Sequence, residues 1–444
     1  MSQISLFPTA AGSCDALKLA PIYNAGGAAT NRLAVADRAV HDWYRFVLSF
    51  PPHLVQEYLE KFEVTPAMTV LDPFCGTATT IVECKKQGLP SVGIEANSMA
   101  HFASATKVSW NINAARLLET GEAIAARTIQ HLDGETRDRE LRELPPDSRR
   151  IILTNSISPL PLHKTLVLLE HIEESGCAPL EPYFKIALAS ALVGPIGNLR
   201  FGPEVGVSKN HKTDALVVQA WLENVRVIAA DLPVLRELAN VPATAYHADA
   251  RNVPTLIEPN SIDVVITSPP YPNEKDYTRT TRLESVLLGF LNSRAELRAL
   301  KKSLLRSNTR NVYKGDSDDE WIAHHGEIQR LAAEIEARRV EMGKTSGFEK
   351  LYHKVTKLYF GGMARHLSAL KMVLKPGARL AYVVGDQASY LRVMIRTGQL
   401  LAEIAENLGY EVVSIDLFRT RIATTTGEQL REEVVILRWP GPSN

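Results

Sequence analysis

The chain has 444 residues, with 50 Lys and Arg against 50 Asp and Glu, a formal net charge of zero and 45% hydrophobic residues. That length predicts roughly one to three domains with ample apolar material for a large core. The balanced charge excludes a global electrostatic footprint for nucleic acid or membrane, so any such partner must be met by a local patch. Cys14, Cys75, Cys84 and Cys177 form no CxxC pair and no zinc-spaced His/Cys cluster, which predicts reduced thiols and no metal site. The opening MSQISLFPTAAGS has no basic segment leading into an apolar one, and no apolar run reaches the ~20 residues that span a bilayer. The expectation is a soluble, cytoplasmic protein with no membrane partner.

In chain order, residues 1–36 are rich in Gly, Ala, Ser and Asn and read as an N-terminal loop segment. PPHLVQEYLEKF has prolines at its start and apolar residues at helical spacing, which predicts a helix. AMTVLDPFCGTATTIVECKKQG reads as a short buried strand, a tight loop and a helix, and SVGIEAN as a second strand ending on an acid. Residues 37–106 thus form the first part of an α/β domain. Residues 107–240 differ: helical patterns such as NAARLLETGEAIAARTIQHL flank irregular stretches, SPLPLHKT and GPIGNLRFGPEVGVSKNHK, and predict a mainly helical insertion. Residues 241–444 resume the strand signals, with a helical, basic segment at 291–355. Strand candidates fall near 68–72, 91–95, 243–247, 262–267, 378–385, 411–418 and 432–439. The first six have helices between them and the last two only RTRIATTTGEQLR. The fold class is therefore α/β: a doubly wound, seven-stranded, mostly parallel Rossmann-like sheet closed by an antiparallel hairpin, with a mainly helical insertion.

Two stretches carry chemistry. In VLDPFCGTATT, Asp72 ends the first strand and Gly76 lies in the loop before the next helix. Ligands of doubly wound sheets bind outside the carboxyl ends of the strands, where glycine allows close approach and a helix N-terminus adds positive potential. Glu95, ending the second strand, is placed to accept hydrogen bonds from ribose hydroxyls. Asp249, after the third, suits an exocyclic amine, although a strand-end turn explains it equally well. The second stretch is Thr267-Ser268-Pro269-Pro270-Tyr271, which ends the fourth strand. Proline cannot donate to a ladder, so the strand must stop there. A stiff loop then fixes the Ser268 hydroxyl and the Pro269 carbonyl as two acceptors, and Tyr271 offers a flat face. Two acceptors and a stacking surface suit a planar substrate bearing an amino group.

DPFCGTATT and TSPPY together resemble the cofactor loop and the catalytic [DNS]-P-P-[YFW] tetrad of the amino-group DNA methyltransferases. HDWYRFVLSFPPHLV is similar to the segment that closes over the cofactor, and RLESVLLGF, LKPGARLAYVVGD and REEVVILRW resemble later segments. The likeness covers about 37–106 and 243–440 and implies a class I methyltransferase fold with S-adenosyl-L-methionine as cofactor. It implies catalytic roles for Ser268, Pro269, Pro270 and Tyr271. Cofactor contacts are implied for Tyr44, Asp72, Pro73, Phe74, Cys75, Gly76, Thr77, Glu95, Ala96, Asp249 and Thr267. A serine heading the tetrad is more like the N4-cytosine branch, aspartate like the N6-adenine branch. One departure is Ala78, where the family has a second glycine. There a methyl group either crowds the cofactor or shifts the helix start.

The implied partner is double-stranded DNA, with a restriction or defence partner possible and the oligomeric state open. RAELRALKKSLLRSNTR, residues 294–310, holds six Lys and Arg against one Glu. Arg279, Arg282, Lys301, Lys302 and Arg306 are candidate phosphate contacts, with a solvated helix face as the plain alternative. The helical stretches at 107–240 and 291–355 are both candidates for target recognition. Other readings are N6-adenine methylation, transfer-RNA guanine-N2 methylation and an inactive nucleic-acid-binding subunit.

Overall fold

The computed structural model describes residues 33–45, 49–136, 140–201, 205–273, 275–422, 427 and 429–442. The loop segment assigned to 1–36 lies almost wholly outside these, as does most of ATTTGE in the last connection. Nine strands occur among the described residues: β1 (Val70–Asp72), β2 (Ser91–Glu95), β3 (Leu199–Phe201), β4 (Val205–Val207), β5 (Ala243–His247), β6 (Ile262–Thr267), β7 (Leu374–Gly385), β8 (Glu411–Ile422) and β9 (Gln429–Arg438). The seven expected from the sequence form one sheet in the order β5-β2-β1-β6-β7-β9-β8. β5, β2, β1, β6 and β7 run parallel. β9 lies antiparallel between β7 and β8 and closes the sheet. From β1 the chain winds outward to β2 and β5, then returns to the other side of β1 for β6 and β7. The reversal between β1 and β6 opens a crevice at their carboxyl ends.

Alternate residues of each strand serve opposite faces. Val70, Val264, Ile266, Ala381, Val383, Val434 and Ile436 pack against the helix Pro52–Lys61. Leu71, Val265, Leu380, Tyr382, Val384, Val435 and Leu437 pack on the other side, against the helices Tyr352–Leu370 and Thr397–Asn407. At the β5 edge, the helices Thr79–Lys86 and Ser98–Lys107 share a core with the stretch from 107 to 240. Its helices Ala114–Gly134, Pro159–Glu174, Glu181–Ala191 and Val217–Leu235 pack around Trp221, whose indole N–H donates to the Phe184 carbonyl (2.9 Å). This stretch is continuous with the sheet's own helical layer.

Three local details differ from the sequence expectation. GPIGNLRFGPEVGVSKNHK contains an antiparallel hairpin, β3 and β4, pairing Leu199 with Val207 and Phe201 with Val205. The stretch VMIRTGQLLAEIAENLG, residues 393–409, has helical spacing from its start, yet its helix begins only at Thr397, because Gln387 and Ile395 form a bridge and Leu391 and Arg392 take positive φ. The helix expected through 294–310 stops at Ser303, with Leu304 already extended (φ −80°, ψ 150°). Buried hydrogen bonds of the following Arg306, Ser307 and Asn308 outweigh helix propensity there.

Candidate active site

A cleft of about 360 Å³ opens at the switch point, within the usual range for a ligand site. Behind it lies Asp72, which is 0% exposed. Asp72 Oδ1 accepts from the Phe74 N–H (3.1 Å) and from the Thr267 hydroxyl (2.6 Å), tying the ends of β1 and β6 together. Among the described residues Oδ2 has no hydrogen-bond partner, and burial pushes the carboxyl up to about 6. Asp72 and Thr267 sit behind the cleft rather than in its wall. Pro73, Phe74, Cys75 and Gly76 line it. Gly76 has φ +53°, and a Cβ there would meet nothing within 4 Å. The turn needs the left-handed backbone that glycine adopts at no steric cost, and its open side faces the cleft.

Glu95 secures this loop. Its Oε2 accepts from the Gly76 N–H (2.9 Å) and its Oε1 from the Asn97 N–H (2.7 Å). Burial raises its carboxyl to about 7. Each oxygen keeps a further lone pair for a ligand hydroxyl, and Ala96 adjoins it in the wall. Cys75 is packed, with Sγ 3.7 Å from the Ser104 hydroxyl. Thr77 is buried and its carbonyl accepts from Lys107 Nζ (2.9 Å), so it supports the loop from behind. Ala78 adopts φ +77° and is 0% exposed in the core beside the helix it starts. Its methyl does not reach the cleft. The missing glycine costs about 1 kcal/mol of backbone strain and leaves the cleft free.

Two expected cofactor residues are placed otherwise. Tyr44 is not in the cleft wall: it is core-buried, with its hydroxyl donating to Glu284 Oε1 (2.9 Å). Asp249 is in the wall, but Arg251 claims its carboxylate. Oδ1 accepts from the Arg251 N–H (2.9 Å) and Nε (3.0 Å), and Oδ2 from Nε (3.0 Å) and Nη2 (2.6 Å). Three N–H groups in four contacts, with Nε shared between both oxygens, occupy most of the carboxylate's acceptor sites, which leaves little for an amine.

At the other end, Ser268, Pro269, Pro270 and Tyr271 line the cleft. Ser268 Oγ donates to the Val383 carbonyl of β7 (3.1 Å). Its one proton is thereby committed and its lone pairs remain as acceptors. The Tyr271 N–H donates to the Tyr277 hydroxyl (3.1 Å), which braces the tetrad from the next turn. The Tyr271 ring lies so close to β7 that a Cβ at Gly385 would sit 3.0 Å from its Cε2. Burial and the neighbouring Glu432 carboxylate keep its hydroxyl protonated. Sequence reasoning missed the remaining walls. Phe418, Arg419 and Arg421 of β8 meet Glu432 of β9, with Arg419 Nε donating to Glu432 (2.5 Å). The segment from Ser303 to Asn311 forms another wall. The signal for that segment was legible in RSNTRN, since Ser, Asn and Thr favour turns over helix interiors.

The basic candidates separate. Arg282 is 6% exposed and donates to the carbonyls of Thr278 (3.1 Å) and Ile151 (3.1 Å). Arg306 is 5% exposed and holds Asp316 through Nε (2.9 Å) and Nη2 (2.8 Å). Lys301 pairs with Asp276 (2.7 Å). These three are structural cations, because buried groups need their partners. Arg279 is half-buried, and Lys302 is exposed beside Arg298, both over the Tyr313 ring.

A family profile described as DNA methylase matches residues 34–105. The type II methyltransferase M.BsoBI of Geobacillus stearothermophilus is 24% identical over 453 residues, covering 90% of this chain and 84% of that protein. M.AvaI, a type II methyltransferase of Nostoc sp., is 28% identical over 207 residues, 44% of this chain and 42% of that one. Among solved structures, TrmN from Thermus thermophilus aligns over 90% of this chain and 52% of its own, with 12% identity and a TM-score of 0.30. The rRNA methyltransferase aviRa from Streptomyces viridochromogenes aligns over 88% and 86%, with 11% identity and a TM-score of 0.30. Both scores are too low to bear on function. The profile falls on the segment that builds the loop, and the M.BsoBI match extends along nearly the whole chain. The chain is thus similar to the DNA methylase family in the segment that builds its loop, and to a type II methyltransferase over nearly its whole length.

Proposed function

We propose that the protein methylates the exocyclic N4 amine of cytosine in double-stranded DNA. One observation carries this reading: Ser268 Oγ spends its proton on the Val383 carbonyl and faces the cleft as a neutral acceptor. A serine at this position is the form the N4-cytosine branch resembles. The cleft fits the family's cofactor on its own terms. Gly76 leaves space where a ligand approaches, Glu95 offers carboxylate lone pairs, and Phe74 supplies an apolar wall. When bound, S-adenosylmethionine supplies a methyl group already activated on a sulfonium.

The protein's work is to aim the amine. An aromatic amine is a poor nucleophile because its lone pair is delocalised into the ring. Ser268 Oγ and the Pro269 carbonyl would accept amine hydrogens, draw the nitrogen toward tetrahedral geometry and stabilise its developing positive charge. Tyr271 would cover the face of the base, a contact worth roughly 1–3 kcal/mol. A base in a duplex must first leave the stack. The exposed cations of the helix Arg294–Ser303, among them Arg298 and Lys302, suit phosphate contact. The relatives' type II naming supports a restriction-modification role, with 107–240 or 291–355 reading the target.

Mass analysis of nucleosides from DNA of cells expressing the protein tests the reading. N4-methylcytosine should rise. A rise in N6-methyladenine alone would move the target to adenine, and methylation of transfer RNA without DNA would move the substrate class.

A further inference from the structure

After Ser303 the chain leaves its helix and crosses the cleft. Ser307, Asn308, Thr309 and Asn311 are 1%, 0%, 3% and 1% exposed, an unusual density of buried polar side chains. The segment is clamped to the tetrad loop. The Ser307 carbonyl accepts from the Asn273 N–H (2.9 Å), two residues past Tyr271, and from the Tyr390 hydroxyl (3.0 Å). Asn308 Nδ2 donates to the Lys275 carbonyl (3.1 Å) and its Oδ1 accepts from the Arg310 N–H (3.0 Å). Arg306 pins the segment from behind through Asp316. Asn311 stands apart. It lines the cleft, it is buried, and its Oδ1 has no partner among the described residues. A buried amide oxygen left unsatisfied is costly, and a rigid backbone holds this one in place.

We infer that Asn311 reads the edge of the target base where an exocyclic amine lies beside a ring nitrogen. This deepens the methyltransferase reading and rests on it. A carboxamide presents one acceptor and one donor side by side. Its oxygen takes the amine hydrogen nearer the ring nitrogen, its NH2 donates to that nitrogen, and the other amine hydrogen goes to the Ser268 and Pro269 acceptors. Cytosine offers this edge through N4 and N3, adenine through N6 and N1.

The test compares the wild type with Asn311→Ala and the isosteric Asn311→Asp. The substrate is a duplex bearing the motif that long-read sequencing of host DNA assigns. S-adenosylmethionine affinity by calorimetry and the melting temperature are measured alongside. Methyl transfer should fall roughly 10- to 100-fold in both variants, while cofactor affinity stays within about threefold. Replacing the target base by its deaza analogue, with C–H at the ring nitrogen, should slow the wild type and leave the variants' reduced rates unchanged. A fully active variant would overturn the inference. So would cofactor affinity falling in step with activity, or a deaza penalty in Asn311→Ala equal to that of the wild type. If wild-type protein left no methylated base in DNA, the methyltransferase reading would fall and this inference with it, whereas an effect tied to Asn311 separates the two.

Discussion

The two ends of the cleft are built in different ways. The proposed cofactor end is sequence-local: the loop after β1 and the acid ending β2 lie within 72–95 and meet through the Gly76–Glu95 hydrogen bond. The proposed target end joins distant pieces. Ser268–Tyr271, Ser303–Asn311, Phe418–Arg421 and Glu432 reach one wall from four parts of the chain. Their register depends on buried ion pairs and clamps rather than on a single turn. A local site tolerates changes far from it, whereas an assembled site fails when any support is removed.

That contrast can be broken most sharply at Arg306. Arg306→Ala leaves the largely buried Asp316 carboxylate without its cation, with the Tyr313 N–H (2.7 Å) still donating to it, so stability should fall by about 3 kcal/mol, measured by denaturant unfolding. The salt slope of DNA binding should be unchanged. A reduced slope with unaltered stability would return Arg306 to the phosphate contacts. Next comes Ser268→Ala, which removes an acceptor while keeping the fold. Turnover should fall roughly 100- to 1000-fold with cofactor affinity unmoved, and equal loss of both would merge the two ends into one unit.

At the cofactor end, Gly76→Val forces a β-branched residue to φ +53°. Calorimetry should show cofactor affinity about tenfold weaker or worse, with the tetrad side intact. Glu95 adds a pH signature. Its folded carboxyl is raised to about 7 by burial from an ordinary 4.5. Across that window the folded protein keeps a proton the unfolded chain has lost, so this group's contribution to stability declines as pH rises from 4.5 to about 7, then levels. Cofactor affinity should rise through the same window as the carboxylate forms, and Glu95→Gln should flatten the profile. The smallest effect is expected at Ala78→Gly. Relief of left-handed strain, about 1 kcal/mol, is offset by loss of a buried methyl worth about 0.8 kcal/mol. The melting temperature should hardly move, and a large gain in cofactor affinity would show that the methyl had reached the cleft after all.

The strand pattern was legible because buried parallel strands are short apolar runs bounded by turns. Val70–Asp72, Ser91–Glu95 and Ile262–Thr267 follow that rule almost to the residue. The loop at Gly76 and the stop at Pro269–Pro270 were legible because glycine and proline restrict the backbone by themselves. The charged helix was read too far, through Arg310, because local composition favours helix and only tertiary hydrogen bonds end it at Ser303. Arg282 and Arg306 read as free cations because charge is visible in a sequence and burial is not.

By itself, then, the sequence determined the winding of the sheet, the glycine loop after β1 and the proline stop after β6, all governed by periodicity or by residues with intrinsic backbone preferences. Tertiary structure alone decided that Arg251 takes up the Asp249 carboxylate, that Tyr44 lies in the core, that the Ala78 methyl turns inward, and that Asn311 enters the cleft. Each of these depends on which partner a polar or apolar group finds after distant segments close, and pairing across hundreds of residues leaves no local pattern.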